Sequence, residues 1–310
     1  MTTPLVEMRD VNIRFNTTRG WGYAVTAVSA DVRADTVTAI IGESGSGKSV
    51  LGAAVMGLLP NNAQASGSIT YAGLELLGLA DREWDQIRGI ELGWVAQNPA
   101  SSLNPVYRID ELVSEAAIHR RRIRRRDKRR FAADLLAKVG LPAATGRNYS
   151  FELSGGMAQR ALIAVGIGLD PPLLILDEPT KGLDPANYDR IRDAIMDLAG
   201  EGHTIMLITH DVTLAEQVAD EIWVLYGSRL VEQAPKQDFF ATPLHPYSQG
   251  LLAAMPSRGL HPIPGESPSF FVPPEGCPFV DRCPYAVAAC HELKTPSHPT
   301  EGRSVLCLLH

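Results

Sequence analysis

The stretch Gly42-Glu43-Ser44-Gly45-Ser46-Gly47-Lys48-Ser49 decides the fold of this chain. It fits the pattern G-x-x-x-x-G-K-[ST] of a phosphate-binding loop. The glycines let successive backbone N–H groups turn toward one centre, where a phosphate can sit. Lys48 supplies a charge to the β and γ phosphates of a nucleotide, and the Ser49 hydroxyl is suited to ligate Mg²⁺.

The segments on either side of this loop support the same interpretation. Residues 36–41 are apolar and predict a short buried strand, and residues 50–59 predict a helix whose positive N-terminus faces the anion. The alternative is a Gly/Ser-rich turn that contains a lysine by chance. Because strand, loop and helix follow in register, we predict a nucleotide site.

Composition sets limits on the class of protein. With 310 residues, 45% of them hydrophobic, the chain can form one large or two modest domains with a sizeable core. A net charge of −6 gives no overall basic field to attract nucleic acid or anionic lipid. The start of the chain lacks the pattern of a secretory signal, and no apolar run approaches the roughly 20 residues that span a bilayer. We therefore expect a cytoplasmic protein whose role at a membrane needs partner subunits.

The predicted elements alternate between strands and helices, which favours a mostly parallel α/β sheet. Strands are predicted at 5–15, 24–32, 36–41, 66–73, 91–96, 172–177, 203–209 and 221–226. Helices are predicted at 50–59, 109–141, within 151–169, at 187–199 and at 213–218. Residues 17–22 are expected to form a turn, and prolines interrupt regular structure at 98–105. After about Ala234 the sequence becomes proline-rich, which predicts an irregular tail.

A basic run lies inside the predicted helix 109–141. Residues 119–130 read His-Arg-Arg-Arg-Ile-Arg-Arg-Arg-Asp-Lys-Arg-Arg. One interpretation is a patch in which residues 120–130 would touch lipid headgroups or nucleic acid. The other is a solvated helix face, which we favour because most charge runs are solvated and the rest of the chain is acidic.

A second element of the phosphate site is the run Leu173-Leu-Ile-Leu-Asp177-Glu178. A hydrophobic strand that ends in an acid would bring Asp177 to the phosphate site, where it can hold Mg²⁺ through water. Glu178 follows at once and is suited to polarise an attacking water as a general base. The alternative, two acids at a strand end with no further role, is weakened by the phosphate-binding loop.

All four cysteines fall within residues 277–310, in the spacing C-x5-C-x6-C-x16-C. In a reducing compartment such a cluster favours metal over disulfides. Four thiolates suit either Zn²⁺ or an iron–sulfur cluster, and the short C-x2-4-C pairs of structural zinc sites are absent from the sequence. Prolines after Cys277 and Cys283 extend the loop. Cluster, zinc and free thiols all stay open. His291, next to Cys290, is an alternative ligand, but a surface residue is the favoured interpretation.

The run Leu153-Ser-Gly-Gly-Met-Ala-Gln-Arg160 resembles the signature motif of ABC-transporter ATPases, and it precedes Asp177 and Glu178 at the spacing of that family. The resemblance implies a P-loop NTPase of the α/β class with an antiparallel β subdomain, a helical subdomain at about 98–165 and an irregular cysteine-containing extension. It implies a nucleotide-binding domain over 1–235 and an extension over 236–310. It also makes Gln97 the Q-loop residue, residues 181–184 the D-loop and His210 the switch histidine.

The resemblance assigns roles residue by residue. The catalytic residues that it implies are Glu178, His210 and Gln97. The nucleotide-binding residues that it implies are Phe15, which would stack on adenine, and Gly42, Ser44, Gly45, Ser46, Gly47, Lys48, Ser49, Asp177, Ser154, Gly155, Gly156 and Asp184. The Mg²⁺ ligands that it implies are Ser49, Gln97 and Asp177.

Ser154, Gly155 and Gly156 are expected to open a helix with free N–H groups and a positive dipole end. The family arrangement implies that this end contacts the γ-phosphate of ATP held by another subunit. Two nucleotides would then be sandwiched between two subunits, and hydrolysis would release the dimer.

Three positions depart from the common pattern of the family. Met157 replaces the usual glutamine of the signature, Lys181-Gly182 replaces a Ser-Ala pair of the D-loop, and Thr36 replaces a glycine. None of these changes removes a catalytic group, so we expect an active ATPase. The D-loop change affects the expected communication between the two nucleotide sites.

The tail resembles the C-terminal extension of oligopeptide, dipeptide and nickel importer ATPases, on residues 244–252, 263–268 and 276–284. That resemblance implies a [4Fe–4S] cluster held by Cys277, Cys283, Cys290 and Cys307, with Zn²⁺ as the alternative. It also implies the partners of an importer: two integral-membrane permease subunits, a second ABC ATPase that is a paralogue, and an extracytoplasmic substrate-binding protein. The protein would sit on the cytoplasmic face of the inner membrane.

The resulting hypothesis is an ATPase subunit that powers uptake of oligopeptides, dipeptides or a related small solute. One alternative is an importer of nickel or a metal chelate. A less favoured alternative is an ABC ATPase acting on DNA or ribosomes, since such proteins usually carry two cassettes or coiled-coil insertions. A third treats the cysteine tail as a redox or metal sensor. No nucleic-acid partner is expected, and the solute is not encoded here because the ATPase does not bind it.

Overall fold

The computed structural model describes residues 4–120, 122–269, 271–273, 275–300 and 302–310. Two compact units divide the chain: the first takes residues 1–80 and 206–310, and the second takes 81–205. Met1–Thr3, at the start of the predicted nucleotide-binding domain, and Arg121, in the basic run, lie outside the described residues. The predicted domains, 1–235 and 236–310, are defined by function and not by compactness. That division stays a prediction.

The strands and helices of the described residues are numbered in chain order. The strands are β1 (Pro4–Thr17), β2 (Gly20–Arg33), β3 (Val37–Ile41), β4 (Ala63–Tyr71), β5 (Leu74–Glu75), β6 (Leu92–Val95), β7 (Leu173–Asp177), β8 (Thr204–Thr209), β9 (Glu221–Tyr226), β10 (Arg229–Pro235) and β11 (Ser304–Val305). The α-helices are α1 (Lys48–Val55), α2 (Asp81–Ile87), α3 (Pro99–Ser102), α4 (Ile109–His119), α5 (Lys128–Lys138), α6 (Gly155–Gly166), α7 (Pro185–Gly200), α8 (Val212–Val218), α9 (Lys236–Ala241) and α10 (Pro246–Ala253).

The first unit contains the expected antiparallel sheet, in the order β2-β1-β4-β5. Strands β1 and β2 form a long hairpin in which Ile13 pairs with Val25 and Thr17 with Gly20. The hairpin turn is shorter than the predicted 17–22, because the Thr17 hydroxyl donates to the Gly20 carbonyl at 2.7 Å and β2 begins there. Alternation of buried and exposed side chains along both strands fits a sheet with one face on the core.

The first unit also holds the strand that leads into the phosphate-binding loop. Strand β3 is buried at every residue and pairs in parallel with β9, from Thr38 opposite Glu221 to Ile41 opposite Val224. Strand β9 turns at Gly227 and Ser228 into antiparallel β10, and β11 from the end of the chain pairs with β10. Continuous burial of short apolar strands is typical of a sheet covered on both faces.

In the second unit, β6 and β7 pair in parallel, from Leu92 opposite Leu173 to Val95 opposite Leu176. Helix α6 lies close against β6, since a Cβ at Gly166 would come within 2.7 Å of the Val95 side chain. Strand β8 straddles the boundary between the units, and the N–H of its first residue, Thr204, donates to Pro172 O at 2.9 Å.

The predicted helix over 109–141 is wrong in its middle. Helix α4 ends at His119, α5 begins at Lys128, and a 3-10 turn at Arg125–Asp127 lies between them. Arginines three and four residues apart repel one another on a helix, which explains the break within the basic run. The described residues of the run are mostly exposed, so the run is solvated as predicted, but it does not lie on one helix face.

Two predictions of irregular structure are also wrong in part. Pro99 begins the short helix α3, capped by the Asn98 side chain, and Pro246 begins α10, capped by His245. Proline at the first helical position loses no hydrogen bond and has a backbone already suited to a helix. The proline-rich tail accordingly contains the helices α9 and α10 before it becomes irregular.

Candidate nucleotide and cysteine sites

The phosphate-binding loop follows β3 and runs into α1, as the sequence predicts. A Cβ at Gly42 would lie 2.1 Å from the Leu225 carbonyl oxygen, and a Cβ at Gly47 would lie 2.0 Å from the Ala24 carbonyl oxygen. Both glycines have positive φ, 150° and 103°, so glycine is needed for both space and conformation. The loop thus has a fixed shape set by strands β2 and β9.

The Lys48 side chain lies within this loop. It is 6% exposed, and its Nζ donates to the carbonyl oxygens of Gly42 at 2.8 Å and Glu43 at 2.9 Å. The predicted residues Ser44, Gly45 and Ser49 are exposed, whereas Ser46 and Gly47 are buried. The loop therefore offers an exposed rim backed by a buried cation.

Two other predicted nucleotide residues lie in the first unit. Phe15 is half-buried on β1, where its backbone pairs with Gly22 and Ala63. His210 is exposed directly after β8. The next residue caps α8, because the Asp211 carboxylate accepts from Thr213 N at 2.9 Å. The cap fixes the chain direction at His210.

Asp177 ends β7 in the second unit, and Glu178 follows it directly. They are 4% and 8% exposed. Glu178 has φ of 51°, in the left-handed region that non-glycine residues seldom occupy. Such backbone strain is concentrated at functional sites, where the surrounding structure holds it.

The signature residues open α6, as predicted. The Ser154 hydroxyl accepts the Met157 N–H at 3.4 Å and caps the helix. Ser154 and Gly155 are exposed, and Gly156 is buried because a Cβ there would come within 2.3 Å of Asn187 Cγ. The exposed helix end leaves N–H groups available to an anion.

Asn187 joins the signature helix to the D-loop. Its N–H donates to Asp184 Oδ1 at 3.0 Å and its Nδ2 to Asp184 Oδ2 at 2.6 Å. These hydrogen bonds hold the pKa of Asp184 below its ordinary value. Arg160, 2% exposed, donates to Asn187 Oδ1 at 3.4 Å and to Gly140 O at 2.6 Å. The predicted residues Gly156 and Asp184 thus share one neighbour.

A groove of about 650 Å³ lies next to Gln97 in the second unit. Gln97 is exposed two residues beyond the end of β6. Phe151, on the groove wall, is 72% exposed, and its ring stacks on Tyr149 at 5.5 Å. In the neighbouring loop the Val106 side chain is 72% exposed. Arg108, two residues further on, forms an isolated antiparallel β-bridge with Tyr149. Exposed apolar side chains around a groove mark an interaction surface.

The four cysteines line one cavity of about 130 Å³ in the first unit, and none of them is in a disulfide. Burial raises the pKa of Cys277 to about 11, and burial also raises that of Cys307. Among the residues that the structure describes, no group of three or more His, Cys, Asp or Glu side chains is placed to hold a metal ion.

These observations test the predicted metal groups. A single Zn²⁺ needs four thiolates within about 2.3 Å of one point, which this arrangement does not provide. In a four-iron cluster each thiolate binds a different iron, so the thiolates surround a larger volume. The four thiols share one cavity, but among the described residues they are not placed as a formed site for either group.

A buried histidine faces this cavity. His245 is 1% exposed, and burial lowers its pKa to about 3, so it is neutral. Its Nδ1 accepts the Tyr247 N–H at 3.1 Å, which leaves the proton on Nε2, 3.5 Å from Cys277 Sγ. The Nε2 proton is thus in position to be donated to the Cys277 sulfur.

Comparison with known proteins identifies the class. The profile of the ABC transporter family matches residues 25–181, and that of the oligopeptide/dipeptide transporter C-terminal region matches residues 231–290. The fold resembles the dimeric ABC transporter cassette MJ0796 with a TM-score of 0.69 at 25% identity, over 74% of this chain and 98% of that one. The phosphate-binding loop and the α/β architecture with an antiparallel sheet agree with this class.

Relatives narrow the assignment. The oligopeptide transport ATP-binding protein OppD of Escherichia coli K12 is 36% identical, over 98% of this chain and 92% of its own length. OppD of Mycobacterium tuberculosis H37Rv is 41% identical over 93% of this chain, but the chain spans only about half, 49%, of that protein. The chain belongs to the ABC transporter ATP-binding family and carries the C-terminal region of its oligopeptide/dipeptide branch.

Sequence motifs did not identify several residues that shape these sites. Asn187 lies beyond the D-loop motif, and its contact with Gly156 depends on how two helices pack. Arg282 and Tyr247 reach Glu43 from the extension. Two signals in the sequence pointed to these residues. Arg282 directly precedes Cys283, and Tyr247 lies within the tail motif at 244–252.

Proposed function

We propose that this chain is the ATP-hydrolysing subunit of an ABC importer for oligopeptides, dipeptides or a related small solute. One observation carries the proposal: the ABC transporter profile and the oligopeptide/dipeptide C-terminal profile occur in one chain, in order. The name of the E. coli relative, which spans nearly the same length, supports peptides as the cargo class.

In this proposal the phosphate-binding loop holds the nucleotide. Lys48 and the N–H groups of residues 42–49 would bind the β and γ phosphates. Phe15 would stack on adenine. Bound Mg²⁺ would neutralise phosphate charge, with Ser49, Gln97 and Asp177 as the residues that hold it directly or through water.

Glu178 is proposed as the general base and His210 as a contact for the γ-phosphate. Burial and the strained backbone of Glu178 support a role for which a fixed carboxylate is needed. Ser154, Gly155, Gly156 and Asp184 would complete the nucleotide site of a second ABC ATPase, a paralogue, and that subunit would complete the site here. The likeness to a dimeric cassette supports this pairing.

The base assignment is tested with Glu178→Gln. This isosteric change keeps the side-chain volume and removes the proton acceptor, so ATP should still bind while steady-state hydrolysis falls by at least about 100-fold. Binding is measured by equilibrium titration with ATP and turnover by phosphate release. Hydrolysis at the wild-type rate would rule out Glu178 as the base.

The groove next to Gln97 is proposed as the docking surface for permease subunits at the cytoplasmic face of the membrane. The exposed side chains of Phe151, Val106 and Tyr107 support this proposal. No helix among the described residues combines the length and apolarity needed to cross a bilayer. Membrane attachment would accordingly come from partners, and an extracytoplasmic binding protein would deliver the solute.

Purification from detergent-solubilised membranes tests the importer assignment. Integral-membrane subunits should co-purify with the wild-type chain. The amount that co-purifies should fall in Phe151→Asp. Leu58→Asp is the matched control, because Leu58 is an exposed apolar residue of the first unit. Recovery with ribosomes or DNA instead would favour the alternative of an ABC ATPase that does not transport.

Nickel or a metal chelate is the alternative cargo, because related extensions occur in nickel importers. Uptake assays separate the two: a strain without this chain should lose growth on peptides that supply an essential amino acid. Loss of nickel accumulation with normal peptide use would favour the alternative.

The cysteine cavity is proposed to hold a [4Fe–4S] cluster through Cys277, Cys283, Cys290 and Cys307. When bound, the cluster would cross-link the irregular loops of the extension and could exchange an electron. Anaerobically purified protein should be brown and contain about four irons, and Cys290→Ser should lose both. Colourless protein with one zinc per chain would establish the zinc alternative.

A further inference from the structure

Glu43, the residue after Gly42 in the phosphate-binding loop, is held by the C-terminal extension. The Glu43 carboxylate accepts hydrogen bonds from Arg282 Nη1, at 3.2 Å to Oε1 and 3.1 Å to Oε2. The Ser267 hydroxyl also donates to Glu43 Oε2. The Glu43 N–H donates to the Tyr247 hydroxyl at 2.9 Å. Three extension residues thus bind one residue of the loop.

Glu43 carries a negative charge into a loop that is expected to bind the anionic phosphates. Its carbonyl oxygen accepts from Lys48 Nζ at 2.9 Å, so the carboxylate belongs to a residue in direct contact with the phosphate-binding cation. Its side chain is 28% exposed, which only partly screens the charge. An uncompensated carboxylate at this position would oppose phosphate binding.

Arg282 is placed to cancel that charge. Its side chain is only 7% exposed, and Nη1 also donates to the Tyr226 hydroxyl at 2.8 Å. The other guanidinium nitrogens donate to the backbone: Nε to Pro264 O at 2.8 Å and Nη2 to Ile263 O at 3.2 Å. A guanidinium held on three sides pays little entropy for its contact with the carboxylate.

Aromatic packing fixes the same group of residues. The Tyr226 and Tyr247 ring centroids are 4.3 Å apart, and Phe279 packs on both rings at 5.2 and 5.4 Å. The Arg282 guanidinium carbon lies 5.6 Å from the Tyr226 centroid. Because these side chains are packed together, the packing holds Arg282 and Tyr247 against Glu43.

We propose that Arg282 is a positioning residue of the nucleotide site, which neutralises Glu43 and so sets the affinity of the phosphate-binding loop for nucleotide. Tyr247 supports the same residue, because its hydroxyl accepts the backbone N–H of Glu43. The extension is then an electrostatic part of the nucleotide site in addition to its cysteine cavity. This inference rests on the proposed nucleotide-binding function.

The test measures ADP affinity of the purified full-length protein by calorimetry, which needs no turnover. In Arg282→Gln the Glu43 carboxylate loses its partner, and ADP should bind about 3- to 10-fold more weakly, between the effects expected for exposed and for buried charged contacts. The loss should shrink as salt is raised from about 0.05 M to 0.5 M, because salt screens a partly exposed charge. Arg258→Gln is the control, because Arg258 is an exposed arginine of the same extension whose side chain donates to the Phe240 carbonyl oxygen.

Two further variants separate charge from structure. Arg282→Lys loses the fork of contacts to Pro264, Ile263 and Glu43 but keeps the positive charge. Because the proposal rests on that charge, this variant should recover most of the affinity. The double variant Glu43→Gln/Arg282→Gln removes both charges and should also bind close to the wild-type level. Folding of each variant is checked by its thermal unfolding midpoint.

The proposal is overturned if Arg282→Gln binds ADP as the wild type does. It is equally overturned if Arg282→Lys and the double variant bind as weakly as Arg282→Gln at every salt concentration, since that is what loss of packing alone predicts. Wild-type protein that binds no nucleotide would overturn the proposed function, and this inference with it.

Discussion

At the residue scale, neighbouring glycines of the signature have different reasons to be glycine. Gly156 faces Asn187 so closely that a Cβ would lie 2.3 Å from Asn187 Cγ and 2.7 Å from its Cβ. Gly155, one position earlier, has no atom within 4 Å of its hypothetical Cβ. Glycine at 156 is therefore needed for packing against α7, whereas the described residues leave space for a Cβ at 155.

We expect Gly156→Ala to damage the protein and Gly155→Ala to leave its fold intact. The methyl group that alanine introduces at position 156 must displace Asn187, with a cost of about 1–3 kcal/mol for overpacking. Because Asn187 holds Asp184, ATPase activity should also fall. Unfolding midpoints and phosphate release measure the two effects. Equal unfolding midpoints for both variants would show that α6 and α7 do not need this close contact.

Motif residues were accessible from the sequence because their chemistry is local. The spacing of Gly42, Lys48 and Ser49 defines the loop, and the structure gives it the predicted strand and helix neighbours. The partners of these residues were not accessible. Asn187 and Arg282 reach their partners only after helices and loops distant in sequence pack, and no spacing rule encodes that packing.

At the element scale, the break between α4 and α5 is compensated by one carboxylate. Glu111 Oε2 accepts the Arg108 N–H at 3.2 Å at the start of α4, and Glu111 Oε1 accepts from Lys128 Nζ at 2.9 Å at the start of α5. Glu111 thereby connects the beginnings of two helices that the basic run separates. Periodicity predicted one long helix because it does not register repulsion between neighbouring arginines.

This connection predicts a pH dependence. The hydrogen bond from Lys128 is the main cause that holds the pKa of Glu111 below its ordinary value of 4.5. Its contribution to stability is therefore complete above pH 4.5 and is lost as the pH falls through the lowered folded-state pKa. We expect Glu111→Gln to be less stable than wild type at pH 7, by under about 1 kcal/mol because the pair is partly solvated.

Urea unfolding at pH 7 and at successively lower pH measures this difference. The difference between wild type and Glu111→Gln should shrink as the pH falls below 4.5. Glu115→Gln, an exposed position on the same helix, is the control and should show a smaller difference at pH 7. A difference that stays constant from pH 7 to strongly acid pH would exclude the charged contact as its source.

At the scale of the whole molecule, the extension is part of a compact unit with the first 80 residues. Composition predicted a tail, because prolines and irregular segments signal loops. The buried arginine of β10 provides the connection that composition could not register. Arg229, 5% exposed, donates to the carbonyl oxygens of Gly276 at 2.9 Å, Leu293 at 3.2 Å and Lys294 at 2.6 Å.

Arg229 therefore supports the walls of the cysteine cavity from strand β10. Gly276 precedes Cys277 and itself lies so close to the loop after Cys290 that a Cβ would meet the Cys290 carbonyl oxygen at 2.3 Å. Replacing Arg229 with lysine keeps a buried charge. The lysine ammonium, however, cannot donate to three carbonyl groups from a fixed plane as the guanidinium does. At least one carbonyl would then be buried without a donor, at a cost of about 1–3 kcal/mol.

We expect Arg229→Lys to lower the unfolding midpoint and to make residues 260–300 sensitive to limited proteolysis while the second unit stays protected. If the cysteine cavity holds a cluster, iron content should fall in parallel. Arg258→Lys, an exposed change in the same extension, should do neither. Should Arg229→Lys resist proteolysis as the wild type does, the extension would be held mainly by β11 and by the contacts of Arg282 and Tyr247 with Glu43. The variants of Arg229 and Arg282 therefore separate two roles by experiment: Arg229 supports the cysteine cavity, and Arg282 links the extension to the phosphate-binding loop.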